Sequence, residues 1–228
     1  MRVVVSLYDY TGIAVVPWAA AGYDCYCFDN QHTNHSVEYP NGGRITYRNV
    51  DLHGSHQDIV SEFAGRTAFM SAFPVCTDLA ISGAAHFATK LARDPDCQKK
   101  AAWYARQCEL TGLALGAAGY IENPISVLST LWRKPDYIFN PYEYGGYIDE
   151  ADAEHPTWPD YIAPRDAYPK KTCLWTFGGF VMPKRKPVPC PAGYSTQHNK
   201  LGGKSLKTKN IRSATPRGFV AAVKEYNS

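Results

Sequence analysis

Two side chains in this sequence have the chemistry of a covalent catalyst. They are Cys76, a thiol behind Phe73-Pro74-Val75, and Glu122, a carboxylate ahead of Asn123-Pro124. A thiol at the tip of a buried strand and next to Thr77-Asp78 lies where a helix start would lower its pKa and favour the nucleophilic thiolate. Free cysteines also serve as small core hydrophobes, and Cys76 taken alone fits either use. At a sheet edge shielded on one side, a carboxylate such as Glu122 acquires a raised pKa and can hydrogen-bond a ring nitrogen. The alternative is a surface glutamate. Asn123 suits a helix cap and Pro124 the first turn of the helix that follows.

Three further loops carry ligand-binding residue types. Tyr8-Asp9-Tyr10-Thr11-Gly12 follows an apolar run, and its small residues let the backbone turn tightly and approach a ligand, although a full glycine fingerprint is missing. Asp29, ahead of Asn30, stands where open parallel sheets place a ribose-binding carboxylate, and an ordinary Asp-Asn turn explains it equally. Asp51 could face an adenine amino group or water. Cys25 and Cys27 share one face of a strand, but no histidine or second cysteine pair adjoins them, so no metal site is expected.

The elements that must position these residues follow from hydrophobic period. Apolar runs predict strands over Arg2–Tyr8, Asp24–Phe28, Ile45–Val50, Thr67–Phe73 and Ala118–Ile121. Between them fall helices over Ile13–Ala21, His56–Phe63, Gly83–Arg93 and Asp96–Ala117, with one more at Ile125–Trp132. Such alternation implies a doubly wound α/β fold, a mostly parallel Rossmann-like sheet covered on both faces. Ligands then bind beyond the carboxyl ends of the strands, where all the residues above lie. After Pro135 the pattern breaks. Tyrosine, proline and acidic residues crowd Asn140–Pro169, only Thr172–Phe177 reads as a strand, and Pro183–Asn210 reads as a basic loop. Thr215–Tyr226 predicts a closing helix with Pro216 in its first turn. The expected organisation is a catalytic domain over 1–135, an irregular basic region over 136–212, and a helix over 213–228 returning to the first domain.

Hydrophobic residues make up 45% and charged residues 20% of the 228, ordinary values for one globular domain, which excludes a disordered or fibrous chain. The apolar start ends at Asp9, too soon for a secretory core or a membrane span. Seven irregularly spaced cysteines do not form a secreted disulfide framework. A cytoplasmic protein without membrane association is expected. The net charge of +3 conceals an asymmetry: 12 Lys or Arg against Glu225 alone from Ala167 onward, and 12 basic against 20 acidic residues before it. A basic end of this kind is either a solvated arm or a phosphate-tracking surface.

In order and spacing these loops resemble the cytosine carbon-5 methyltransferases. Ser6 to Gly12 is similar to that family's opening Asp-Leu-Phe-x-Gly-x-Gly, and Ala21 to Asn30 to its second strand with the ribose-binding acid. Asn49-Val50-Asp51 resembles the third motif, Phe73 to Cys76 the Pro-Pro-Cys nucleophile loop, and Glu122-Asn123-Pro124 the Glu-Asn-Val motif. The likeness covers about residues 3–140. Tyr142–Gly145, Lys171–Trp175 and Thr215–Phe219 further resemble short methyltransferase-like proteins of phage genomes.

The resemblance implies an S-adenosylmethionine-dependent methyltransferase fold and methyl transfer to carbon 5 of cytosine in DNA. Cys76 would be the nucleophile and Glu122 its carboxylate partner. Tyr8, Asp9, Thr11, Gly12, Asp29, Asn30, Asp51 and Pro74 would hold the cofactor. Lys171, Lys207, Lys209, Arg212 and Arg217 would contact phosphates. Ser6, Tyr10, Val75 and Pro124 depart from the family pattern, and Tyr10 adds bulk near the methionine end of the cofactor. No separate target-recognition domain fits after Pro135. The same chemistry on a free pyrimidine nucleotide, a protein partner that supplies target recognition, and a non-catalytic methyltransferase-like binder are therefore the alternatives.

Overall fold

A computed structural model describes residues 2–190, 201 and 205–228. Eight strands form one sheet: β1 (Val3–Leu7), β2 (Asp24–Asp29), β3 (His35–Glu38), β4 (Arg44–Asn49), β5 (Thr67–Ala72), β6 (Ala118–Pro124), β7 (Tyr137–Phe139) and β8 (Thr172–Phe177). Their order is β3-β4-β2-β1-β5-β6-β8-β7. The five strands from β4 to β6 run parallel, while β3 and β8 are antiparallel to their neighbours. Among the described residues the α-helices are α1 (Val16–Ala19), α2 (His56–Phe63), α3 (Phe87–Arg93), α4 (Cys97–Leu115), α5 (Leu128–Leu131), α6 (Leu206–Ser213) and α7 (Arg217–Asn227).

Strand β1 shows why the sheet is covered on both faces. Its period of two sends Val3, Val5 and Leu7 to one face and Val4 to the other. The first set packs with Met70 and Ile121 against Ile59, Phe63, Ala105 and Cys108 from α2 and α4. Val4 packs with Cys25, Cys27, Phe69 and Tyr120 against Trp18 of α1 and Phe219, Val220 and Val223 of α7. The predicted α/β sandwich is thus present. From β1 the chain winds outward through β2 and β4, then crosses to β5 and β6 on the other side. This reversal puts the switch in strand order at the carboxyl ends of β1 and β5, the usual ligand site of such sheets.

Several elements differ from the sequence reading. The polar stretch after Asn30 contains an edge strand, β3, whose residues are all exposed and therefore carry no apolar alternation to read. The third parallel strand is Arg44–Asn49 rather than Ile45–Val50. The first helix is a 3-10 turn (Ile13–Val15) and one α turn, and the third begins as a 3-10 stretch (Ile81–His86). Strand β6 runs on through Pro124, because antiparallel β8 continues to pair there, with Pro124 opposite Thr172. Pro124 therefore opens no helix. Within 136–212, β7 and β8 join the main sheet. Leu206–Ser213, with 206–210 expected as loop, is α6, capped by the Ser205 hydroxyl, which accepts from the Thr208 amide at 3.1 Å. Its apolar footing, Ile211 with Ile162, Tyr168, Leu201 and Ala214, comes from three separate segments. The remainder of the expected 183–210 loop falls partly outside the described residues.

Candidate active site

The two catalytic candidates occupy adjacent strand ends. Phe73 to Cys76 follows β5, and Glu122 lies two residues before the end of β6, which runs parallel to β5. Three backbone bonds and bridges stitch the loops behind them: the Ile81 amide donates to Ile125 at 3.1 Å, the Val127 amide to Leu79 at 3.0 Å, and Ala80 pairs with Ser126. Asn123, expected as a helix cap, instead donates its side-chain amide to the Pro74 carbonyl at 3.0 Å, in the core. It clamps the nucleophile loop to the strand that carries Glu122.

Cys76 is half-buried. The expected helix start is absent: its carbonyl accepts from the Leu79 and Ala80 amides in a tight turn, and the first helical residue is Ile81. Burial raises the thiol pKa, the Glu122 charge raises it further, and Lys170 and Lys90 only partly oppose them. The resting group is thus a thiol, contrary to the expected thiolate. Glu122 is also raised, by burial against the opposing charge of Lys170. Its Oε1 atom is buried with no hydrogen-bond partner. A native protein rarely leaves such an acceptor unpaired unless it serves a ligand or reaction.

The cofactor candidates divide into two groups. Tyr8, at a left-handed φ of 56°, buries a hydroxyl that has no partner. Burial, then the charges of Cys108, Tyr104, Asp51 and Asp29, raise its pKa, so Asp29 and Asp51 lie within electrostatic reach of it. Asp29 is buried with Oδ1 accepting from the Gln31 amide at 2.8 Å. Asp51 is exposed, accepting from the His53 amide at 3.0 Å, and Asn30 is exposed with its carbonyl on the Asn49 amide group. These residues line the carboxyl ends of β1, β2 and β4.

Asp9, Thr11, Gly12 and Pro74 have partners within the chain. The Asp9 carboxylate is buried and accepts from the Ser6 hydroxyl (2.8 Å), the Gly12 amide (2.8 Å) and the Thr11 hydroxyl (3.2 Å). Its pKa is raised by burial, with these bonds and His32 opposing. Ser6, which departs from the family pattern, thereby helps fix the turn. Gly12, at φ 68°, leaves its missing side chain's space to the Tyr47 ring. Tyr10 is exposed and stacks on His32 at 6.1 Å. Pro74 is buried and offers its carbonyl to Asn123.

Of the basic candidates, Lys171, Lys207 and Lys209 are exposed. Arg217 has internal partners: its guanidinium donates to the carbonyls of Asp152, Ala153 and Glu154 at 2.8–3.0 Å, with Asp166 3.9 Å away. Arg212 likewise donates to the Leu201 carbonyl at 2.5 Å. Both hold irregular segments that have no ladder of their own. Lys170 was invisible among many tail lysines in the sequence, yet its charge acts on both Cys76 and Glu122.

No family model matches the chain, and no curated protein matches it.

Proposed function

We propose that this chain transfers a methyl group from S-adenosylmethionine to carbon 5 of cytosine in DNA. The observation that carries the reading is the Glu122 Oε1 atom, buried without a partner and electrostatically coupled to Cys76 at the carboxyl ends of adjacent strands. An unpaired buried acid next to a thiol is what a pyrimidine ring needs. Carbon 5 of cytosine is a poor nucleophile until a thiol adds to carbon 6. Cys76 Sγ forms that bond as its S–H bond breaks and the proton passes by way of Glu122 to the ring nitrogen, while the ring's electron pair moves toward carbon 5. Glu122, whose raised pKa keeps a proton within reach, stabilises the ring nitrogen as it gains electron density. After methylation, loss of the carbon-5 proton lets the Cys76 Sγ–carbon 6 bond break.

The bound cofactor supplies the electrophilic methyl group. The residues present fit it in part. Tyr8, with its orphaned hydroxyl, and Asp29 and Asp51 nearby would hold the adenosyl portion, while Asp9, Thr11 and Gly12 shape the loop. Asn123 holds Cys76 toward Glu122. Lys171, Lys207 and Lys209 would meet phosphates.

The same chemistry on a free pyrimidine nucleotide is favoured by one observation: β7 and β8 are absorbed into the main sheet, which uses part of the stretch that a recognition domain would need. Purified protein with labelled S-adenosylmethionine should methylate cytosine-containing oligonucleotides and lose this on Cys76→Ser. Transfer to dCMP but not to oligonucleotides would select the second reading. No transfer to any of these acceptors would refute both.

A further inference from the structure

Antiparallel pairing sets the start of β8 at the carboxyl end of β6, with Thr172 opposite Pro124. Lys170, two residues earlier, therefore lies at the Glu122 end of the sheet. Its Nζ donates to the Arg212 carbonyl at 3.0 Å, in the last turn of α6, where carbonyls lack helical partners and attract cations. The Thr172 hydroxyl donates to the Lys170 carbonyl at 3.0 Å and fixes the backbone. Helix α6 is itself seated by buried Ile211 and Thr208.

We infer that Lys170 is a positioning residue of the Cys76 and Glu122 centre, held at the carboxyl end of β6 by its bond to the end of α6, so that its charge sets the reactivity of the thiol. The role in catalysis rests on the methyl-transfer reading; the thiol's reactivity does not. Cys76 is faced by Glu122, Lys170 and Lys90. Cys173 and Tyr120 also feel the Glu122 charge. Lys90 spends its ammonium on Asp78 at 2.9 Å and on the Thr77 carbonyl. Among the described residues, Lys170 is the cation that acts on both members of the pair.

The sign of the effect depends on Glu122. Removing the ammonium makes Cys76 harder to ionise, but it also makes Glu122 easier to protonate, which helps the thiol. The direct effect is isolated in a Glu122→Gln background. There, Lys170→Met should slow iodoacetamide alkylation of Cys76 by about three- to tenfold below the thiol pKa, shifting the rate–pH profile upward. Lys170→Arg should restore it. Peptide mass mapping reads Cys76 separately from the other cysteines and needs neither cofactor nor DNA, so failure of methyl transfer leaves this test standing. If Lys170→Met does not fold, Nε-acetyl-lysine at position 170 keeps the stem and removes the charge. An unchanged Cys76 profile in whichever charge-neutral protein folds, or slowing that Lys170→Arg fails to reverse, would overturn the inference.

Discussion

Replacing Asn123 by Ala separates loop placement from stability. In the native chain the Asn123 amide donates to Pro74 at 3.0 Å, while its Oδ1 is buried without a partner. Truncation leaves the Pro74 carbonyl without its donor, at a cost of about 1–3 kcal/mol, but also removes the unpaired Oδ1, which offsets a similar amount. The small cavity adds to the loss. A net destabilisation of about 1 kcal/mol follows, a fall of roughly 2–4 °C in thermal midpoint for a chain of this size. The loop does not melt, because Ile81 and Val127 still bond across it. Cys76 is nonetheless released from its clamp, and methyl transfer should fall by about 10²-fold, the cost of a small misplacement of a reacting group. Asn123→Asp sets a buried charge against the Pro74 carbonyl and should destabilise more, by about 3 kcal/mol or beyond. Thermal unfolding and single-turnover transfer measure the two effects. A destabilisation above roughly 3 kcal/mol for Asn123→Ala, or full activity with the clamp removed, would refute the reasoning.

Three other outcomes are expected. Gly12→Ala combines a left-handed backbone with the Tyr47 ring in its path and should cost about 2–4 kcal/mol in urea unfolding; Gly22→Ala, with φ 90° but only Asn41 nearby at 3.6 Å, should cost less. His155 is buried with Nδ1 accepting from the Thr157 and Trp158 amides, and burial, then Arg217, lower its pKa from 6.5 to about 4. The unfolded chain therefore binds more protons between these values, and stability is lost as pH falls through that window. His155→Asn, which keeps an acceptor, should flatten the profile measured by thermal melts from pH 4 to 6.5. Arg217→Ala should destabilise the fold by about 2–3 kcal/mol through its carbonyl contacts without changing the salt dependence of DNA binding, whereas Lys207→Ala or Lys209→Ala should each lower the salt slope by about one.

The sequence by itself determined the parallel core. Strands such as β1 and β5 are mostly apolar, interrupted only by Ser6 in one and by Thr67 and Ser71 in the other, and α4 ends at Gly116 in a left-handed cap, so local period and turn chemistry sufficed. It also brought Cys76 and Glu122 into view, since residues after such strands share one edge of the sheet. Edge strands were not legible. β3 is wholly exposed, and β7 spans only Tyr137–Phe139, too short for alternation to register.

Only the tertiary structure decided what the side chains at that edge do. The Cys76 thiol pKa is raised first by burial and then by Glu122, a buried carboxylate 46 positions later in the sequence, and no local pattern encodes either. Asn123 looked like a cap because capping is a local motif, yet its partner is Pro74, across the sheet. Arg217 looked like a free cation, yet it bonds carbonyls some 60 residues distant in the chain. Long-range pairing chooses among the uses that a residue type permits, and for polar groups in this chain that choice is made by which strand ends the sheet brings together.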